Sequence, residues 1–245
     1  MKVRTTPMEL RVEDNLIRGI VLDAVGTLIK PVPSVAEAYA VAARRQGVGL
    51  ETEVLRDRFE LHFQNGDVHG EQGALSTNEA TERRRWRKIV AGVLPEVPEP
   101  DRAFEELWAH FGRHESWRCF PDAAPALAAL SELGICVCIG SNFDSRLRGV
   151  VQGLPELSPM VNSLIISSEV GYRKPHPLFF RAACAHLGLP GDRVLCVGDN
   201  LENDVQGAID AGLSALLLDR RQNLLSDLPH VLTLTALIET KFIRA

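Results

Sequence analysis

The sequence predicts an α/β fold: a parallel sheet with helices on both faces, interrupted after its first strand by an inserted helical bundle. Three observations carry this reading. After CFPDAAP (119–125), short apolar runs alternate with helical patterns, as repeated βαβ units require. One more such run, GIVLD, stands alone near the N-terminus. Between the two lies a long stretch with helical periodicity.

GIVLD (Gly19 to Asp23) is rich in apolar and β-branched residues and reads as a buried strand. KPVPS (Lys30 to Ser34) is Pro-rich and reads as a linker. From Ser34 to about Trp117 the pattern is helical. Trp86, Ile89, Val90 and Val93 recur at i, i+3, i+4 and i+7, as do Phe104, Leu107, Trp108 and Phe111. STNEATERRR supplies a cap-like start, and VLPEVPEPD separates those two helices. Helix PALAALSELG then ends on Gly134, and strand ICVCIGS follows. Helix DSRLRGVVQGL places Leu147, Val150, Val151 and Leu154 on one face. Strand SLIISS, helix PLFFRAACAHLG, strand RVLCVGD, helix LENDVQGAIDAG and strand SALLLD complete the series. There are no internal repeats or low-complexity tracts.

At 245 residues the chain suits a core domain carrying an inserted smaller one. Apolar content of 45% and charged content of 24% are those of a soluble globular protein. A net charge of -5 gives no electrostatic reason to expect nucleic acid or an anionic membrane as partner. No apolar run is long enough to span a bilayer. MKVRTTPMELRVEDNLIRG lacks the apolar centre of a secretory signal. Of five cysteines, Cys136, Cys138 and Cys196 fall in apolar runs and read as small core hydrophobes in a reducing cytoplasm. CVC lacks the second Cys/His pair that a zinc site needs. The expectation is a cytoplasmic monomer or homodimer acting on a small molecule.

Parallel α/β sheets bind ligands at the carboxyl ends of their strands. Here those ends carry Asp23, Ser141 with Asn142, and Asp199, while Lys174 lies in the loop after SLIISS. An aspartate can attack phosphorus or carbon and form a covalent intermediate. Attack on a phosphate by an anion needs the repulsion removed. Asp23 and Asp199 offer hard oxygens suited to Mg²⁺, Lys174 a compact positive charge, and Ser141 a hydrogen bond to an oxygen gaining charge. Singly, each residue has an ordinary turn or capping role; the ordered set points to a site.

These residues resemble the motifs of the haloacid dehalogenase-like hydrolase superfamily: DAVGT the first, IGSN the second, GYRKPHP the third and GDNLEND the fourth. The resemblance covers about residues 18–220. It implies a Rossmann-like core over 1–32 and 119–245 and a helical cap of the C1 type, as in subfamily IA, over 33–118. It implies Asp23 as nucleophile, Ser141 as phosphate-oxygen donor and Lys174 as charge neutraliser. It also implies Mg²⁺ held by Asp23, Asp199 and the backbone carbonyl of Val25, with Asp204 supporting that shell. Thr27 and Asn142 are the expected substrate-binding residues. The pattern SNFDSRL, KPHP, GDN looks closest to the branch named for the rhythmically expressed gene 2 protein.

The departure is Val25. In the superfamily's phosphatases this position is an aspartate that protonates the leaving group and then activates water. Losing general acid–base help typically costs about 10²–10⁴-fold, roughly 3–5 kcal/mol of barrier. A metal contact through a backbone carbonyl survives the change. Three functions therefore compete: a Mg²⁺-dependent hydrolase of a small phosphorylated metabolite, a 2-haloacid dehalogenase-type C–X hydrolase whose halide needs no proton, and a non-catalytic ligand-binding or partner-binding protein. The dehalogenases' fourth motif resembles S-x-N and binds no metal, which favours the first reading. A Schiff-base phosphonate hydrolase would need a cap lysine, and Lys88 in RRRWRK reads as part of a solvated helix face. Asp144 is expected to cap the following helix or to stand in as a base. His62, His69, His110 and His114 in the cap could supply the missing proton transfer if the cap closes.

Overall fold

A computed structural model describes residues 17–68, 75–222, 229–240 and 242–243. β1 (Gly19–Leu22) is followed by a tight turn and β2 (Ile29–Pro31). Four helices come next: α1 (Val35–Arg44), α2 (Thr52–Val68), α3 (Glu79–Val93) and α4 (Pro100–Phe111). The chain returns through β3 (Trp117–Cys119) and then alternates: α5 (Ala123–Glu132), β4 (Cys136–Ser141), α6 (Arg146–Gly153), β5 (Leu164–Ile166), α7 (Ser167–Val170), α8 (Pro177–Leu187), β6 (Val194–Gly198), α9 (Gly207–Asp210), β7 (Ser214–Leu218) and β8 (His230–Val231).

The main sheet has the order β5-β4-β1-β6-β7-β8, and every pairing is parallel. Strand side chains alternate between two apolar layers, as a period of two dictates. Ile20, Leu22, Leu195 and Val197 join the layer of α5 and α6, with Leu130, Leu147 and Val150. Val21, Val194 and Cys196 join the opposite layer, with Phe179, Phe180 and Ala183 of α8. The expected α/β sheet with helices on both faces is thus present, and β1 sits at its centre between β4 and β6.

The inserted helices surround a separate apolar cluster that includes Tyr39, Leu55, Ile89, Val93 and Phe104. Ser34 opens α1 with a reciprocal capping box to Glu37, and Asn78 opens α3 by accepting from the Thr81 amide. The two connections are strands: β2 and β3 pair antiparallel, so Lys30 and Pro31, read from sequence as linker, belong to a two-stranded ribbon. A second junction joins the insertion to the core. The Arg173 amide donates to the Leu75 carbonyl at 2.7 Å, the Thr77 amide donates to the Gly171 carbonyl at 2.9 Å, and Ser76 bridges Tyr172. At the start of α3, the Glu79 carboxylate accepts from the Ser145 amide, the Ser145 hydroxyl and the Ser168 hydroxyl. Burial pushes this carboxyl up, but those bonds prevail and hold it below the usual range.

Three expectations are corrected. The strand read as SLIISS ends at Ile166, and Ser167 and Ser168 start a helical turn in which Ser167 Oγ donates to the Phe143 carbonyl. Cys136 is exposed, because it opens β4 before that strand enters the core. β8, only two residues long, extends the sheet beyond the strands the sequence suggested, held by register to Leu217 and Leu218.

Arg220, just past β7, fixes the turn after β1. Its guanidinium makes paired bonds to both carboxylate oxygens of Asp122 at 2.9 Å and donates to the Thr27 carbonyl at 2.8 Å, lying 4.0 Å above the Phe120 ring. Removing one partner of such a group strands the other. Arg220→Ala should lower stability by about 3 kcal/mol in urea unfolding; an unchanged midpoint would show that the turn holds without it.

Candidate active site

The C-terminal ends of β1, β4 and β6, three adjacent strands, deliver the expected groups. Asp23 follows β1, with its amide donating to the Val197 carbonyl at 2.9 Å. Ser141 closes β4 and is buried on the cavity wall. Asp199 follows β6. Lys174 arrives from the loop between α7 and α8, and Asn142 places that loop: its Oδ1 accepts from the Lys174 amide at 2.7 Å and its Nδ2 donates to the Lys174 carbonyl at 2.9 Å. One side-chain amide thereby grips both sides of one residue, as a neighbouring strand would.

The Lys174 ammonium has three donors and three acceptors: Asp204 Oδ1 at 2.5 Å, Asp23 Oδ1 at 2.7 Å and the Gly140 carbonyl at 2.9 Å. Its side chain is only 2% exposed. Burial acts to lower its pKa, but Asp204 and then Asp23 outweigh that and hold it above the ordinary lysine range. It is a permanent cation here.

Two glycines permit the crowding. Gly26 has φ +93°, and a Cβ there would stand 2.1 Å from Asp199 Oδ2. A Cβ on Gly198 would stand 2.2 Å from the Asp204 carboxylate. Asp204 is buried in a π-helical turn over Leu201–Gln206, just before α9, where its Oδ2 accepts from the Asn200 amide at 3.1 Å and Asn200 Oδ1 caps the Asn203 amide at 2.8 Å.

Asp23, Asp199 and Asp204 each offer a carboxylate oxygen, and these atoms lie within 4.8 Å of one another. Burial, opposed by Lys174 and reinforced by Asp204 and Asp199, pushes Asp23 up to about 7. Asp199 keeps an exposed side, but partial loss of hydration and then Asp204 push it up to about 6. Three carboxylates against one ammonium leave excess negative charge, and hard oxygens so arranged fit a hard divalent cation such as Mg²⁺. Val25, two residues on from Asp23, presents an apolar side chain to the cavity wall.

Other expected residues are not brought to the site. Thr27 is fully buried off the cavity wall, and its hydroxyl finds no hydrogen-bond partner. Asp144 does steady the start of α6 by accepting from the Arg146 amide at 3.2 Å, but its oxygens are also taken by the Arg146 guanidinium at 2.7 Å each, so it is no free base. His62, His110 and His114 are absent from the cavity wall, and His69 lies outside the described residues. Lys88 is exposed to solvent, away from the cavity.

Asp23 and Lys174 form the floor of a cavity of about 330 Å³ that runs up into the insertion. Its upper wall carries Tyr39, Phe59, Phe63, Trp86, Phe104 and Trp108, and Arg146 stands at its side with its guanidinium 3.3 Å from the Trp108 ring. Sequence periodicity marks Trp86, Phe104 and Trp108 as one-sided helix residues, and that signal is the same for a packed core and for a cavity wall. Among the described residues, no helix is long and apolar enough to cross a membrane.

Comparison with known proteins places this arrangement. A haloacid dehalogenase-like hydrolase protein of zebrafish, Danio rerio (domain-containing protein 3), is 27% identical over 211 residues, covering 84% of this chain and 86% of that protein. The ribulose-1,5-bisphosphate 5-phosphatase of Halopiger xanaduensis is 26% identical over 202 residues, covering 82% of this chain and 84% of that one. In fold, the chain is similar to a putative HAD-hydrolase of Bacillus subtilis bound to magnesium, with a TM-score of 0.73 at 17% identity, covering 91% of this chain and 98% of the other. The family model for haloacid dehalogenase-like hydrolases matches residues 17–212. With that match spanning the strand ends and all the acidic residues of the site, the chain belongs to the haloacid dehalogenase-like hydrolase family, and it is a hydrolase whose relatives include phosphatases.

Proposed function

We propose that the protein is a Mg²⁺-dependent phosphatase of a small phosphorylated metabolite, working through a phosphorylated Asp23. The observation that carries this reading is the Lys174 ammonium bridging Asp23 and Asp204, with Asp199 beside them. Mg²⁺ held by Asp23, Asp199, Asp204 and the Val25 carbonyl would neutralise the phosphate and draw its charge. Lys174 holds Asp23 in position and offsets charge on the transferring phosphoryl group. Ser141 lies where its hydroxyl can donate to a phosphate oxygen. Asn142 acts as the positioning residue for Lys174. The helical segment 33–118, a cap of the C1 type, closes over the floor and excludes water. Membership of the rhythmically expressed gene 2-like branch, a cytoplasmic location and a monomeric or homodimeric state belong to the same reading.

A 2-haloacid dehalogenase fits the floor less well. Three clustered carboxylates would repel an anionic haloacid in the absence of a cation. Val25 supports a slow enzyme or a binding role, whereas the grouping of Asp23, Lys174, Asp199 and Asp204 supports turnover.

With Mg²⁺, a panel of phosphate esters should release phosphate, and chelation or Asp23→Asn should abolish it. Tight metal binding without turnover of any ester would overturn the reading. Val25→Asp restores a carboxylic acid beside Asp23 and should raise the steady-state rate about 10²-fold; a folded variant as slow as wild type would sink the missing-acid account.

The raised Asp23 also sets a pH dependence. Burial pushes its carboxyl up to about 7, above the ordinary carboxylate value of about 4, so between those values the folded state holds a proton that the unfolded chain has released. That contribution is present near pH 4 and is lost as pH rises toward 7. In chelator, the stability of wild type relative to Asp23→Asn should therefore fall over this window, and Mg²⁺ should reverse the fall. A flat difference would show that Asp23 is ionised throughout.

A further inference from the structure

The cavity has two ends of opposite chemistry. Its floor is charged, while every side chain that α1 to α4 contribute to its wall is aromatic or aliphatic, with the Tyr39 hydroxyl and indole N–H groups as the polar exceptions. A sugar, amino-acid or nucleotide group lodged there would bury hydroxyls, amines or amides without partners, at about 1–3 kcal/mol for each unsatisfied group. Nor is the upper end a cage for a quaternary ammonium. Several of its rings already have guanidinium groups close by: Arg85 lies 4.9 Å from Phe63 and 5.5 Å from Trp86, Arg83 5.0 Å from Trp108, Arg87 4.8 Å from Phe104, and Arg146 3.3 Å from Trp108. A cationic ligand would meet this positive surround. A neutral aromatic group fits by stacking and by burying apolar area.

Val25 points the same way from a separate observation. It lies on the wall beside Asp23 and can give no proton to a departing oxygen. Among the described residues no histidine lines the cavity, and the carboxylate of Asp144 is held by Arg146. An alcohol leaving unprotonated departs as a strong base, comparable to hydroxide from water with its pKa of about 15.7. A phenol, at about 10, departs far more readily.

We propose that the substrate is a phosphate monoester of an aromatic, phenol-type hydroxyl, with its ring in the aromatic end of the cavity and its phosphate on the acidic floor. This rests on the phosphatase reading above. In the first step an Asp23 oxygen bonds to phosphorus while the bond from phosphorus to the aryl oxygen breaks. The electron pair stays with that oxygen, which leaves as phenolate and takes a proton from solvent. Water then attacks the same phosphorus, the bond to Asp23 breaks and the carboxylate is restored. One water proton stays on the released phosphate and the other goes to solvent. With no carboxylate at position 25 to accept that proton, the second step is the slower one.

The test compares 2-naphthyl phosphate, phenyl phosphate, glycerol 3-phosphate and choline phosphate with the full chain and Mg²⁺. The aryl esters should exceed glycerol 3-phosphate about 100-fold in kcat/KM, with an initial burst of aryl alcohol close to one per protein molecule. Val25→Asp should remove the burst and shrink the preference to about tenfold or less. Glycerol 3-phosphate or choline phosphate matching the aryl esters would overturn the assignment of substrate class while leaving the phosphatase reading standing. Binding gives a readout independent of turnover, because the protein's 3 tryptophans, Trp86, Trp108 and Trp117, all line the cavity. Phenylphosphonate should alter their fluorescence and bind about tenfold or more tighter than methylphosphonate. That result with no ester hydrolysed would remove the phosphatase reading and retain the ligand class; equal affinities would refute the class.

Discussion

The buried Lys174 ammonium is the interaction on which the rest of the site depends. A cation at 2% exposure is tolerated only when its donors are matched and its charge is compensated. Asp23, Asp204 and the Gly140 carbonyl do both. These partners come from β1, from the turn after β6 and from β4, so the ammonium ties together three adjacent strand ends. The carboxylates need it equally, because without it Asp23 and Asp204 would face each other uncompensated.

Around that cation the backbone is arranged for close approach. Gly26 lets the turn after Asp23 reach Asp199, and Gly198 leaves room for Asp204. Arg220 holds the same turn from outside through the Thr27 carbonyl. Asn142 holds the lysine loop from within the core, and the bridge between Ser76 and Tyr172 holds that loop from the insertion. The insertion and the Lys174 loop are thus joined directly. The aromatic wall and the charged floor are parts of one cavity.

The alternation of short strands and helices was legible because strand side chains repeat every two residues and helical ones every 3.6. Ile20 and Val21 fall in opposite layers as that period requires. Three of the four motifs were legible because each ends an apolar run; the third, around Lys174, follows a helical turn instead. Other features left no local signal. Cys136 has the composition of a core residue, yet it sits at the exposed start of its strand. Ser167 and Ser168 read as a continuing strand, whereas hydrogen bonding to the Phe143 carbonyl and to Glu79 draws them into a helical turn. Thr27 lies in the first motif, but the turn directs it inward and leaves it off the cavity wall.

By itself the sequence determined the α/β architecture, the place of the insertion, the identity of the charged groups and the apolar side chain at Val25. Each of these is written in the period of apolar residues or in a single side chain, so it needs no knowledge of distant neighbours. Only the tertiary structure decided that Asn142 grips the lysine loop, that Arg146 consumes Asp144, and that Trp86 and Trp108 line a cavity. Those outcomes depend on residues far apart in the chain. A hydrogen bond or a cavity wall forms wherever packing brings its parts together, and the packing is settled by the whole fold.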